Sequence, residues 1–86
     1  MAITDKEQEW RNQFGENLRS AMHDRGMTQL QLAYEINKSP GDISNYINGR
    51  YTPSAYAIYK MASVLQVTPN QLCGVPERDA SWVFKA

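Results

Sequence analysis

The chain has one cysteine and one histidine, so it offers neither an intrachain disulfide nor the ligand set of a zinc site. Its five glycines (Gly15, Gly26, Gly41, Gly49 and Gly74) stand singly, which excludes a phosphate-cradling glycine loop and leaves them as caps, turns or close-packing points. No apolar run reaches the length of a bilayer span and no basic-then-apolar leader is present, so a cytoplasmic protein without a membrane partner is expected. No Ser/His/Asp or Cys/His set with a usable base exists: His23 falls on a solvated helix face, and Glu7, Glu9 and Glu16 read as solvated positions along one helix. No catalysis, cofactor, metal or small-molecule ligand is expected. Cys73 reads as a small apolar group tucked at a helix end.

An excess of either charge is also missing. Nine Lys and Arg offset nine Asp and Glu. The balance is flat along the chain as well, with four basic and five acidic residues in 1–26, two of each in 27–52, and three basic and two acidic in 53–86. Nucleic-acid binders usually carry a basic surplus, so long-range attraction to DNA should be weak.

What is present is a run of helix signals. At 86 residues and 42% hydrophobic content, the chain suffices for one compact core. Thr4 with Glu7 fits a capping box, and Trp10, Phe14, Leu18, Ala21 and Met22 follow at helical spacing before Gly26, giving helix one. Thr28 with Gln31 makes a second box and Ser39 with Asp42 a third, the latter with Pro40 at the first helical position. Two short helices therefore begin eleven residues apart. The first, roughly Gln29 to Ile36, places Leu32, Ala33 and Ile36 on one side; Ala33 is small enough to admit a crossing helix, and Asn37 tolerates the left-handed backbone that ends a helix. In the second, Ile43, Tyr46 and Ile47 face inward, which sends Gly41, Ser44, Asn45 and Asn48 outward. Ser54 caps a fourth helix with Ala57, Ile58, Met61, Ala62 and Leu65 as its stripe, and Thr68-Pro69-Asn70-Gln71 opens a one-turn fifth helix closed by Gly74. No β pattern of useful length interrupts them.

The segment resembles the helix-turn-helix of the lambdoid phage Cro and repressor family, also called XRE-like. The resemblance rests on Thr28-Gln29, Leu32-Ala33, Ile43, the Asn48-Gly49-Arg50 exit, Pro53-Ser54, Ala62 with Leu65, and Val67 through Leu72. It implies an all-α, five-helix lambda-repressor-like DNA-binding domain over residues 1–74, followed by a tail at 75–86. It further implies a sequence-specific regulator, a repressor of bacterial or prophage type that binds a palindromic operator in double-stranded DNA as a homodimer. The alternative is a protein-interaction module on the same fold, such as an antitoxin or an adaptor.

Carried over by position, the base-reading turn holds Ser39, Pro40 and Gly41. Neither Pro40 nor Gly41 donates a side-chain hydrogen bond, so the helix start is expected close to the groove floor, with Pro40 against a thymine methyl. Ser44, Asn45 and Asn48 supply the polar reading, Asn45 foremost as a bidentate partner for adenine. Phosphate contacts are expected from Thr28, Gln29, Lys38, Arg50, Tyr51 and Thr52; the competing reading of Tyr51 and Thr52 is an ordinary solvated turn. Asp42 is read as a cap that offsets the helix dipole, in preference to a contact with a cytosine amino group. With Lys38 and Arg50 as the cations of this face, a dimer should lose affinity with a log–log salt slope of about −4.

Two departures stand out. Where many family members pair an arginine in helix one with a glutamate in helix three, this chain has Met22 and Ile47, an apolar exchange of both partners that suits a packed core. The tail gathers Trp82, Val83 and Phe84, which are expected to pack on helix one beside Trp10 or to join two subunits, with disorder as the third and disfavoured reading.

Overall fold

The computed structural model describes the backbone of residues 2–75 and the side chains of residues 6–75, so the expectations for Trp82, Val83 and Phe84 lie outside the described residues. Five helices follow in order: α1 (Ala2–Arg25), α2 (Gln29–Glu35), α3 (Pro40–Ile47), α4 (Ala55–Leu65) and α5 (Pro69–Cys73), with no strand among the described residues.

Helix α1 begins earlier than its sequence suggests. It starts at Ala2, which puts Thr4 inside the helix and removes the expected Thr4–Glu7 box. The Glu7 carboxylate instead accepts from Arg11 Nη1 at 2.9 Å, one turn further along. At the other end Gly26 adopts a positive φ of 65° and stops the helix as expected. The remaining starts match the sequence reading. Thr28, Ser39 and Thr68 each form a complete capping box, and the Ser54 hydroxyl accepts from Ala57 N. Helix α4 ends on Gln66 in the left-handed region, φ 60°, where Arg25 reaches its Oε1 at 3.1 Å.

The core forms where the five apolar stripes meet. Phe14 and Leu18 of α1, Leu32 and Ile36 around α2, Ile43 of α3, Met61 and Leu65 of α4, and Leu72 of α5 are all essentially inaccessible. Each such side chain contributes roughly 1.5–3 kcal/mol relative to exposure. No polar or charged residue is buried with them among the described residues. Helix α1 packs on both α3 and α5, and α2 packs on α3. The α1–α3 crossing depends on Gly15, where a Cβ would overlap the Ile47 carbonyl oxygen and lie 2.8 Å from the Tyr46 carbonyl oxygen. Only the missing side chain allows the two backbones to approach this closely.

A lysine anchors the start of the turn between α2 and α3. Lys60 Nζ of α4 donates to the Ile36 carbonyl at 2.6 Å and lies 4.9 Å from the centroid of the Tyr56 ring. A cation thereby satisfies one of the carbonyls left open at the end of α2. Burial raises the half-buried Cys73 thiol above its usual pKa, which favours the inert, protonated form.

Candidate nucleic-acid interface

Asn37 sets the geometry of this face. Its φ of 60° reverses the chain after α2, and Lys38 N returns to the Ala33 carbonyl at 2.8 Å, closing the helix end. Ala33 is buried beneath the crossing, so α3 lies close over α2. Ile43, Tyr46 and Ile47 are then held in the core, which turns the opposite side of α3 to solvent. Ser39, Pro40 and Gly41 are exposed at its start, Ser44 and Asn45 are half-buried along it, and Asn48 is exposed at its end.

The first turn is shaped for close approach. Ser39 Oγ accepts from Asp42 N at 3.1 Å, and Asp42 Oδ2 accepts from Ser39 N at 3.2 Å, so Asp42 serves as the reciprocal cap. A Cβ added at Gly41 would meet nothing nearer than Ser39 Oγ at 3.6 Å. Gly41 has no left-handed φ either, so neither packing nor backbone geometry calls for glycine there. Its absent side chain is open space on the exposed end of α3.

Further along, the polar side chains bond to one another. Asn48 Nδ2 donates to the Ser44 carbonyl at 2.8 Å and to Ser44 Oγ at 3.3 Å, and Arg50 Nη1 donates to Asn45 Oδ1 at 3.2 Å. The exit loop is braced from α1: Gln8 Nε2 donates to the Gly49 carbonyl at 2.9 Å, and Arg11 Nη1 donates to Thr52 Oγ1 at 3.2 Å. Thr52 Oγ1 in turn donates to Glu7 Oε2 at 3.3 Å. The Thr52 hydroxyl, an expected phosphate contact, is thus engaged from α1, with the Arg11 cation and the Glu7 carboxylate both beside it. Tyr51, Lys38 and Gln29 are exposed, while the Thr28 hydroxyl accepts from Gln31 N as the cap of α2 and keeps its own proton available.

One side chain that sequence reading passed over joins this face. A recess of about 470 Å³ opens between the C-terminal part of α1, the start of α2 and the end of α3. It is lined by Arg19 and His23 together with Thr28, Gln29 and Asn48, with Met22 and Ile47 at its floor. Arg19 therefore stands beside the expected phosphate donors. Its position four residues after Gly15 on α1 was the only available signal, and it says nothing about proximity to Thr28 without the fold. Gln8, Glu7 and Arg11 were likewise unrecognised as supports for the 48–52 loop.

Comparison with known proteins agrees with this geometry. Residues 18–72 match the helix-turn-helix family profile, and the chain belongs to that family of XRE-like regulators. No curated protein sequence matches it. Among solved structures, it is similar to the restriction-modification controller protein C.AhdI from Aeromonas hydrophila, at 26% identity over 72% of this chain and 94% of that one, TM-score 0.69. It is similar to a hypothetical transcription factor, NHTF, from Neisseria, at 26% identity over 91% of this chain and 88% of that one, TM-score 0.73. The clp gene regulator ClgR from Corynebacterium glutamicum shares 28% identity over 73% of this chain and 67% of its own, TM-score 0.71. The chain is thus a DNA-binding transcriptional regulator, of a family whose members are non-enzymatic DNA-binding proteins. No helix of the described residues is long and apolar enough to cross a membrane.

Proposed function

We propose that this regulator is a repressor that covers a promoter by binding a roughly palindromic operator as a homodimer. Two copies of α3 would enter successive major grooves about 34 Å apart. Ser39, Pro40 and Gly41 would approach the base edges, Ser44, Asn45 and Asn48 would read them, and Thr28, Gln29, Lys38, Arg50, Tyr51 and Thr52 would hold the phosphates, joined by Arg19. The observation that carries the reading is Gly41: a helical glycine with open space around it costs stability and gains nothing in packing. A close backbone approach to a ligand explains it.

Gly41→Ala therefore separates function from stability. It is expected to raise stability by up to about 1 kcal/mol, the alanine advantage within a helix, while lowering DNA affinity on the order of tenfold, roughly 1.4 kcal/mol. Paired urea denaturation and gel-shift titrations measure both. Retained affinity would remove Gly41 from the contact surface.

The dimer is supported by the outer side of α4, where Tyr56 and Tyr59 stay 67% and 60% exposed with ring centroids 6.2 Å apart. Aromatic side chains are enriched at subunit interfaces. The other candidate for this contact is the segment 75–86 with Trp82, Val83 and Phe84. Sedimentation of a version ending at Pro76 tests that segment, since a surviving dimer removes it from the contact, and Tyr56→Ala with Tyr59→Ala tests α4 in the same assay.

Selection of bound oligonucleotides from random DNA tests the function as a whole. Paired half-sites about one helical turn apart support the repressor, and failure to enrich any sequence favours an adaptor or antitoxin. The salt dependence adds a second check. Lys38 and Arg50 in a dimer give a slope of about −4, and Arg19 in each subunit moves it to about −5. A slope near −8 would place further cations on the DNA.

A further inference from the structure

The geometry points to Asn45 and Arg50 acting as one reading unit that selects guanine, where Asn45 alone would select adenine. The inference rests on the DNA-facing placement of α3 proposed above and moves Arg50 from a phosphate to a base edge, which leaves Lys38 and Arg19 of each subunit for a salt slope of about −4. Arginine carries only donors, so the atom of the Asn45 amide that faces Arg50 Nη1 at 3.2 Å must be its oxygen. A bidentate asparagine contact to adenine needs that same oxygen to accept from the N6 amino group while Nδ2 donates to N7. With the guanidinium on one of the oxygen's two lone pairs, the adenine amino group would have to use the other with N–H donors beside it, whereas an acceptor at the same place would gain from them.

Guanine suits the pair as it stands. Its major-groove edge presents two acceptors, O6 and N7, and the unit presents Asn45 Nδ2 beside the remaining Arg50 N–H groups. The backbone that carries both side chains is fixed. Arg50 N donates to the Asn45 carbonyl at 2.9 Å, Gly49 makes the left-handed turn between them at φ 72°, and Gln8 braces the Gly49 carbonyl from α1. No carboxylate among the described residues forms an ion pair with Arg50, so its charge is left for DNA.

The test is oligonucleotide selection with the full chain, its Arg50→Ala and its Asn45→Ala variants, each checked for folding by circular dichroism. The base position read by the pair is the one whose preference changes in both variants. At that position the wild type is expected to prefer guanine over adenine by about tenfold, and Arg50→Ala to turn the preference towards adenine. Adenine selected by the wild type overturns the inference and leaves the repressor standing. So does an unchanged motif in Arg50→Ala with uniformly weaker binding, which would make Arg50 a phosphate contact only. Absence of any enriched motif with the wild type overturns both.

Discussion

Gly15→Ala is expected to destabilise the protein by about 3 kcal/mol or more, at the upper end of overpacking effects. The atoms that an added methyl would strike are the Ile47 carbonyl group and the Tyr46 carbonyl oxygen. All belong to the backbone of α3, so no rotamer change makes room. Helix α1 would have to withdraw from α3, loosening the contacts of Phe14 and Leu18 that help build the core. The gain in helix propensity, about 1 kcal/mol, works against this loss without cancelling it. Because a domain of this size holds only about 0.05–0.15 kcal/mol per residue, such a change consumes much of its stability. Urea denaturation checks the prediction, and an unaltered midpoint would show that the crossing tolerates a wider separation. The contrast with Gly41→Ala is instructive: the same chemical change is expected to have opposite signs at two helical glycines because one faces backbone and the other faces solvent.

Ile47→Glu should cost about 3 kcal/mol for a different reason. Ile47 is 8% and Met22 5% exposed, and both border the same recess at the junction of α1 and α3. A carboxylate at residue 47 would give up the apolar packing at the floor of the recess, and the basic side chains that line it, Arg19 and His23, are exposed and give a buried carboxylate no buried partner. The pair Met22→Arg with Ile47→Glu should recover most of the loss, because the guanidinium would occupy the neighbouring wall and can bind a carboxylate through two hydrogen bonds. Thermal or chemical unfolding of the single and double variants measures the coupling. Equal stability of wild type and single variant would show that Ile47 is not sealed against α1.

Those features governed by neighbours in sequence were legible without coordinates. Thr28 with Gln31, Ser39 with Asp42 and Thr68 with Gln71 declare helix starts because a hydroxyl and an amide or carboxylate three residues on satisfy each other's backbone donors. Asn37 declared the turn because few other side chains accept its backbone. The same logic failed at Thr4, where the box pattern is present but the helix runs through it and Glu7 turns to Arg11 and Thr52. Gln66, left-handed without being glycine or asparagine, gave no signal.

At the DNA face, exposure of Ser39, Pro40 and Gly41 followed from the buried spacing of Ile43, Tyr46 and Ile47. The finer polar pattern did not follow. Arg11 reaching Thr52, Gln8 reaching Gly49 and Lys60 reaching Ile36 join residues dozens of positions apart, so which long side chain finds which partner is decided by the packing of α1 and α4. Residue type alone points Asn45 to adenine, whereas the Arg50 guanidinium on its amide oxygen is visible only in the folded chain.

Helices α2 and α3 span only seven and eight residues. Segments so brief do not persist alone in water, where about 12–15 residues are needed even for favourable compositions. Excised as a peptide, 28–50 would collapse into a random chain, so transplanting this reading head onto another scaffold requires carrying α1 and α4 along with it.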